Sequence, residues 1–288
     1  MSAIPADASV ALRRDLVVDP GRRKARIGLA ILGVLVLIAI FAPLLAPHDP
    51  DAIESGRVLR GLSLSHPFGS DALGRDVLSR VIFSFRVSLS VAVGSVVLAF
   101  ALGIPLGLIA GYRGGWVDSV IMRPVDMLLA LPALLLAIAL IAIVGPGSLI
   151  ALLAITVIYV PILARVIRSS TLVVTSQTFI EAARARGASS RRIVARHVLP
   201  NSIGPAVVQA SVLMGFALQI EAALSFLGLG AQPPTPSLGV MLADGRDVLT
   251  QAPWVEIFPG LAIAITVLAF NLIGDGLRER LDPRGVTR

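Results

Sequence analysis

Cysteine is absent from all 288 residues, which excludes a disulfide framework and any thiolate metal site. Charge is scarce as well, at 15% of positions where a soluble domain carries about 25%. Lysine occurs once, as Lys24, so arginine supplies nearly all of the positive charge. No Gly-x-x-x-x-Gly-Lys-Ser/Thr occurs, which excludes nucleotide binding by a phosphate-cradling loop of that kind. The three histidines (His48, His66 and His197) are scattered, with no i, i+4 pair or acidic neighbour cluster, so their spacing supports no metal site. The net charge of +7 does not indicate nucleic acid, because the arginines lie at the edges of apolar runs without interleaved aromatics.

What the chain has in abundance is apolar sequence: 56% of positions, with a mean hydropathy of +0.86. It comes in uninterrupted runs, and runs of about 18 or more read as membrane spans. The expected fold class is therefore all-α, a polytopic membrane protein with six transmembrane helices. The runs are Ile27–Ala46, Val87–Tyr112, Met127–Val144, Leu149–Ala164, Ile203–Leu227 and Trp254–Gly274. Pro47, directly after the first run, argues against signal-peptide cleavage there and for a retained anchor. Gly145-Pro146-Gly147 predicts a tight hairpin between the third and fourth spans. The stretch Gly228–Met241 is uncharged but too rich in Gly and Pro for a helix, and reads as a loop, re-entrant or superficial.

With the N-terminus inside, the cytoplasmic segments hold about 19 of the 25 Lys and Arg residues, and both termini are cytoplasmic. The organisation read this way is an N-terminal tail over 1–26, a first span over 27–47 and an extracytoplasmic loop over 48–85. A five-helix core follows over 86–277, with a cytoplasmic segment over 178–200 and a C-terminal tail over 278–288. The first outer loop departs from the charge rule, carrying Arg57, Arg60, Arg75, Arg80 and Arg86.

Thr178 to Pro200 is the most informative stretch. Thr178-Phe-Ile-Glu181 fits a capping box, and Gly187 supplies a left-handed residue to end the short helix that follows. Ser189 or Ser190 then starts a second short helix through Arg196, and Pro200 opens the fifth span. Read this way, the helix pair has no hydrophobic core of its own. Ala182 and Ala183 permit close approach to another surface, while Arg184, Arg186, Arg191, Arg192 and Arg196 offer bidentate donors to carboxylates on it. On residue chemistry alone, a docking surface and a basic loop that merely sets orientation both remain open.

The spelling goes further. Glu181-Ala-Ala, Gly187 six residues after the Glu, and Leu199-Pro200 resemble the EAA loop of ATP-binding-cassette importer permeases. His197-Val-Leu-Pro-Asn201 is similar to the ending found in the peptide-importer branch. His66-Pro-Phe-Gly-Ser-Asp71-Ala-Leu-Gly-Arg75-Asp76-Val-Leu-Ser-Arg80 resembles the outer-loop signature of the dipeptide/oligopeptide permease C subunits. So do Gly111–Asp118, Leu224–Gly230 with Pro233-Pro234, and Gly274–Arg278 with Leu281-Asp-Pro283.

The resemblance implies a type I importer permease in the bacterial inner membrane that translocates di- or oligopeptides by alternating access. Nickel chelates, glutathione and sugars are alternative cargoes, and a secondary transporter is the reading from a different class. It also implies partners: a second homologous permease, an extracytoplasmic substrate-binding protein, and two cytoplasmic ATP-binding subunits that hold the ATP and Mg. The chain itself would then be no enzyme and hold no cofactor. Glu181, Ala182, Ala183, Arg184, Arg186, Gly187, Arg191, Arg192, His197, Leu199 and Pro200 would form the ATPase-coupling surface.

Glu221, late in the fifth span, is a candidate for the pathway or the partner-permease contact, or else a solvated group near the outer interface. Asp76 and Arg80, at i, i+4, suggest a short helix with a surface ion pair. With Asp71 and Arg75 they are candidates for contact with the binding protein. Asp126 and Asp275 lack the Gly-x-Gly-Asp spelling of intramembrane aspartyl proteases, which disfavours that chemistry.

Overall fold

One 37-residue helix, Val77–Arg113, organises the molecule. The computed structural model describes residues 20–281, so the tail residues Arg13, Arg14, Arg284 and Arg288 lie outside the described residues. The first apolar run forms α1 (Pro20–Ile40) and, after Phe41, the four-residue α2 (Ala42–Leu45). The long helix is α3. It begins ten residues before the expected Val87, inside the stretch read as loop 48–85. The reason is electrostatic: Arg80 interrupts the apolar run in the sequence, but in the fold its charge lies close to the buried Asp71 and the exposed Asp51.

The expected third span is not one helix. α4 (Gly115–Leu129) and α5 (Ala133–Val144) meet at 95°, with the break at Ala130-Leu131-Pro132. Pro132 has no N–H to continue the ladder and disfavours helical geometry at Leu131. The Gly145-Pro146-Gly147 hairpin forms as expected and leads into α6 (Ser148–Thr175).

After α7 (Thr178–Ala185), a single helix α8 runs from Ser190 to Phe226. The expected second short helix does start at Ser190, with Ser189 before it, but it does not stop at Arg196 and runs on into the fifth span. A π turn over Val194–Val198 widens the ladder immediately ahead of Pro200. The wider turn accommodates a ring that lacks its N–H and would crowd the carbonyl one turn back. The stretch expected to be loop through Met241 turns helical at Leu238, giving α9 (Leu238–Arg246), capped by the Ser237 hydroxyl accepting from Val240 N–H. The last helix, α10, spans Trp254–Leu281.

α3, α6, α8 and α10 are each long and apolar enough to cross a bilayer, and α4 with α5 adds a fifth if the bent pair is counted as one span. α3 and α6 form the most extensive pairing, α1 lies along α10, and α8 packs against α3, α6 and α10. The core where they meet holds Val96, Ala99, Ile155, Leu163, Leu213 and Leu218. Gly103, Gly107 and Gly111 form a stripe at four-residue spacing on α3, facing Leu163, Ala164 and Thr171 of α6. In hydrocarbon, where no hydrophobic force drives helices together, such close backbone approach maximises dispersion contact.

Candidate functional site

Two clusters occupy opposite ends of α3, which at 1.5 Å per residue is about 55 Å long and so extends beyond the ~30 Å hydrocarbon layer. At its Tyr112 end sits the α6–α8 connection. Gln177, not Thr178, is the residue before the first turn of α7, and no side-chain cap forms, so the expected capping box is absent. The C-terminal stop is as expected. Gly187 adopts φ +78°, its N–H donates to the Arg184 carbonyl at 2.9 Å, and Ala188 N–H donates to the Ala183 carbonyl at 3.1 Å. This pair of bonds is a Schellman closure, which needs a residue free to take the left-handed conformation.

The connection does have a core, contrary to the expectation from sequence. Ile180, Ala183, Ile193 and Val198 are buried together with Val174, against Leu108 and Tyr112 of α3. Ala183 therefore faces inward and offers no approach surface, while Ala182 remains exposed. The i, i+3 spacing of Ile180 and Ala183 places them on one face, the exposed Glu181, Ala182 and Ala185 point away from it, and Arg184, four residues after Ile180, lies exposed at its edge. Arg186, Arg191, Arg192 and Arg196 are exposed as well, and the Arg184 guanidinium lies 5.8 Å from the Tyr112 ring centroid. His197 and Leu199 are half-buried, and Pro200 is exposed. Two ion pairs brace this end: Arg168 of α6 grips Asp118 of α4 with Nε and Nη2, both at 2.5 Å, and Arg165 pairs with Asp126.

At the Asp76 end, the segment from His66 to Arg80 folds into a polar knot. Asp71 Oδ1 accepts from the N–H groups of Leu73 and Arg75, both at 2.9 Å, and Gly74 takes φ +77° where a Cβ would strike the Glu54 carbonyl. Asp76 caps α3, its Oδ2 accepting from Ser79 N–H at 2.8 Å and Ser79 Oγ–H at 2.7 Å. Arg75 pairs with Asp71 at 2.6 Å and with Asp244 of α9 at 3.0 Å. Arg80 lies between Asp51, Asp71 and Asp244 at 3.6–3.8 Å and donates to the Pro50 carbonyl at 3.2 Å.

Two expectations are corrected here. Asp71, Arg75, Asp76 and Arg80 are 3%, 9%, 3% and 1% exposed, so they are internal braces and present no charge to a docking protein. Asp76 and Arg80 form no surface pair, since Asp76 is spent on the helix cap and Arg80 on other carboxylates. Nor are all three histidines scattered in space, since only His197 lies apart. His48 and His66 stack with ring centroids 4.4 Å apart, and His66 Nδ1–H donates to Asp76 Oδ1 at 2.8 Å. The 17 residues between the two histidines in the chain conceal this, because the loop folds back on itself. The outer loop also rests on α10, with Phe68 stacked on Phe258 and Trp254 Nε1–H donating to the Ser70 carbonyl at 3.1 Å.

Glu221 is 1% exposed, which overturns the solvated reading. Ser225 Oγ–H donates to its Oε1 at 2.8 Å, and Ser88 of α3 is the other hydroxyl facing the carboxyl. The same Ser225 oxygen accepts from Ala231 N–H at 3.1 Å, pinning the loop between α8 and α9 onto α8. Nothing in the sequence singles out Ser88 or Asp244, which carry no motif of their own, and Ser225 stands in the Leu224–Gly230 signature without any sign that it meets Glu221. Asp76 immediately before an apolar run is a legible cap signal.

Comparison with known proteins agrees with this architecture. Residues 103–285 match the family described as binding-protein-dependent transport system inner membrane component, and residues 22–61 match the N-terminal TM domain of oligopeptide transport permease C. The chain is 47% identical over 260 residues to the dipeptide transport system permease protein DppC of Alkalihalophilus pseudofirmus, covering 90% of this chain and 86% of that one. It is 46% identical over 258 residues to the glutathione transport system permease protein GsiD of Pectobacterium atrosepticum, covering 89% and 85%. Among solved structures, an inward-facing conformation of the MetNI methionine ABC transporter superposes with a TM-score of 0.57 at 22% identity, over 68% of this chain and 93% of that one. That likeness shows a fold shared with a chain of that transporter. Family match, long relatives and fold converge: the chain belongs to the binding-protein-dependent transport system inner membrane component family, a multi-pass transport permease and not an enzyme.

Proposed function

We propose that the chain is one of two permease subunits in an ATP-driven importer of short peptides, and that the α6–α8 connection is where its ATP-binding subunits engage. The relatives named for dipeptide and glutathione transport share a cargo chemistry, since glutathione is itself a short peptide. The family implies a second permease, ATP-binding subunits and a substrate-binding protein. Six spans with both termini on the ATPase side follow from counting α1 with α2 as the first span and the bent α4–α5 pair as the third.

One observation carries the docking proposal. α7 buries Ile180 and Ala183 inward against α3 and the start of α8, while Glu181, Arg184, Arg186, Arg191, Arg192 and Arg196 are exposed. A patch so built is rigid on its inner side and charged on its outer side. A push on α7 then reaches α3 through Leu108 and Tyr112, and α8 through Ile193 and Val198. The five arginines suit carboxylates on a partner, because each guanidinium can make two parallel hydrogen bonds.

Natural absence of cysteine makes the test clean. Arg184→Cys and Arg192→Cys, each introduced singly into the assembled importer, are expected to give thiol-to-amine cross-links to an ATP-binding subunit. Leu153→Cys, on an exposed position within α6, is expected to give none. Absence of cross-links from both arginine positions in a transport-competent assembly would sink the proposal.

A further inference from the structure

We propose that His48, His66 and Asp76 form a binding site for one divalent transition-metal ion at the outer-loop end of α3. Each residue offers one ligand atom, and the three atoms lie within 4.8 Å of one another. Two imidazole nitrogens and a carboxylate oxygen form a donor set that zinc and nickel accept, whereas magnesium and calcium prefer oxygen alone.

The strongest sign of a ligand is His48. Its Nδ1 is buried and has no hydrogen-bond partner, although it lies 3.9 Å from Asp76 Oδ2. A metal ion would give this imidazole nitrogen a partner and join it to the carboxylate beside it. The His48 backbone N–H is fixed by Ser79 Oγ at 3.1 Å, and that same oxygen donates to Asp76 at 2.7 Å. One serine thus orients two of the three ligands, the kind of support that metal sites rely on.

Entry of the ion is a substitution. The proton that His66 now donates from Nδ1 to Asp76 leaves, and the metal takes its place between the same two atoms. With Nδ1 on the metal, His66 carries its proton on Nε2, which now meets Arg57 Nη1. Arg57 is held through Nε by Glu54 at 2.8 Å and is half-exposed, so its Nη1 is free to turn outward. Ligand atoms each about 2.1 Å from an ion stand about 3.4 Å apart in a tetrahedral site, so a pair at the 4.8 Å limit would have to close by somewhat more than an ångström. The partly exposed His48 ring supplies that movement. The three ligands come from the segment after α2, the outer loop and the cap of α3. A bound ion would therefore clamp the loop onto the helix.

The test compares assemblies carrying the wild-type chain and His48→Phe, in lipid nanodiscs and purified without a histidine tag. His48→Phe keeps a ring against His66, removes the ligand, and breaks no side-chain hydrogen bond. The expected result is that each wild-type chain binds one more Zn2+ than each His48→Phe chain, with affinity at least about tenfold weaker in His48→Phe. Co2+ should give visible absorption of a nitrogen–oxygen site in the wild type only. Zn2+ should slow tryptic cleavage after Arg57 and Arg60 in the wild type only, and His197→Ala should behave as wild type. Equal Zn2+ binding by wild type and His48→Phe, no binding by either, or loss of binding in His197→Ala would each overturn the site.

Discussion

Gly107 of α3 rests directly on the backbone of Ala164 in α6: a Cβ at Gly107 would lie 2.2 Å from the Ala164 carbonyl oxygen. The contact fixes the distance between the two helices that carry the connection at one end. Neither backbone can yield without separating the pair. Gly107→Ala is expected to lower stability by about 1–3 kcal/mol through overpacking, read as thermal unfolding in nanodiscs. Gly33→Ala, where nothing lies within 4 Å, is the control and should leave stability unchanged or slightly raised.

Arg80 is the only large charged side chain among the most completely buried residues described, and it faces Asp51, Asp71 and Asp244. Its removal empties a packed interior position and takes from the buried Asp71 one of its two arginine partners. Arg80→Ala should cost on the order of 3–5 kcal/mol or prevent folding, whereas Arg246→Ala, from an exposed pair with Asp247, should change stability by less than about 0.5 kcal/mol. Urea or thermal unfolding of the two variants checks the contrast.

The spans are legible because lipid demands long apolar helices, and the runs after Leu149, Ile203 and Trp254 become α6, α8 and α10 with shifted ends. Boundaries are less so. Arg80 hides the first turns of α3, because a sequence does not say which charges will meet buried partners. The turn at Ala130–Pro132 is hard to see because its residues are nearly as apolar as those of the helices beside it. The proposed docking segment stands out through Glu181-Ala-Ala and Gly187. Its core does not, because Ile180, Ile193 and Val198 find one another only after the chain reverses at Gly187. The outer motif reads as a contact surface, yet its charges fold inward upon each other.

Ser225 joins Glu221 to the loop after α8, donating to the carboxyl and accepting from Ala231 N–H. Ser225→Ala should loosen residues 228–237, seen as faster amide exchange, with a cost of about 1–3 kcal/mol for the unsatisfied groups. Glu221→Gln keeps an acceptor for Ser225 and should retain uptake within about twofold. Abolished uptake in Glu221→Gln would show that the carboxyl acts through its charge.

Arg168 holds Asp118 through two parallel bonds across α6 and α4. A lysine cannot reproduce that fork. Arg168→Lys should therefore lose most of the stability lost in Arg168→Ala. A double-mutant cycle with Asp118→Asn should return a coupling of about 1 kcal/mol, as expected for a partly exposed pair.

The α6–α8 connection is proposed as a rigid lever whose shape depends on Gly187 at φ +78°. The left-handed conformation costs an ordinary residue roughly 1–2 kcal/mol, and a β-branched residue suffers most. Asn tolerates that conformation better than other side chains. The decisive measurement is ATP-driven peptide uptake by the reconstituted importer carrying Gly187→Val or Gly187→Asn, with ATP hydrolysis recorded in the same vesicles. The account predicts continued hydrolysis with several-fold reduced uptake for Gly187→Val, and near wild-type uptake for Gly187→Asn. Wild-type uptake by a correctly inserted Gly187→Val importer would contradict it.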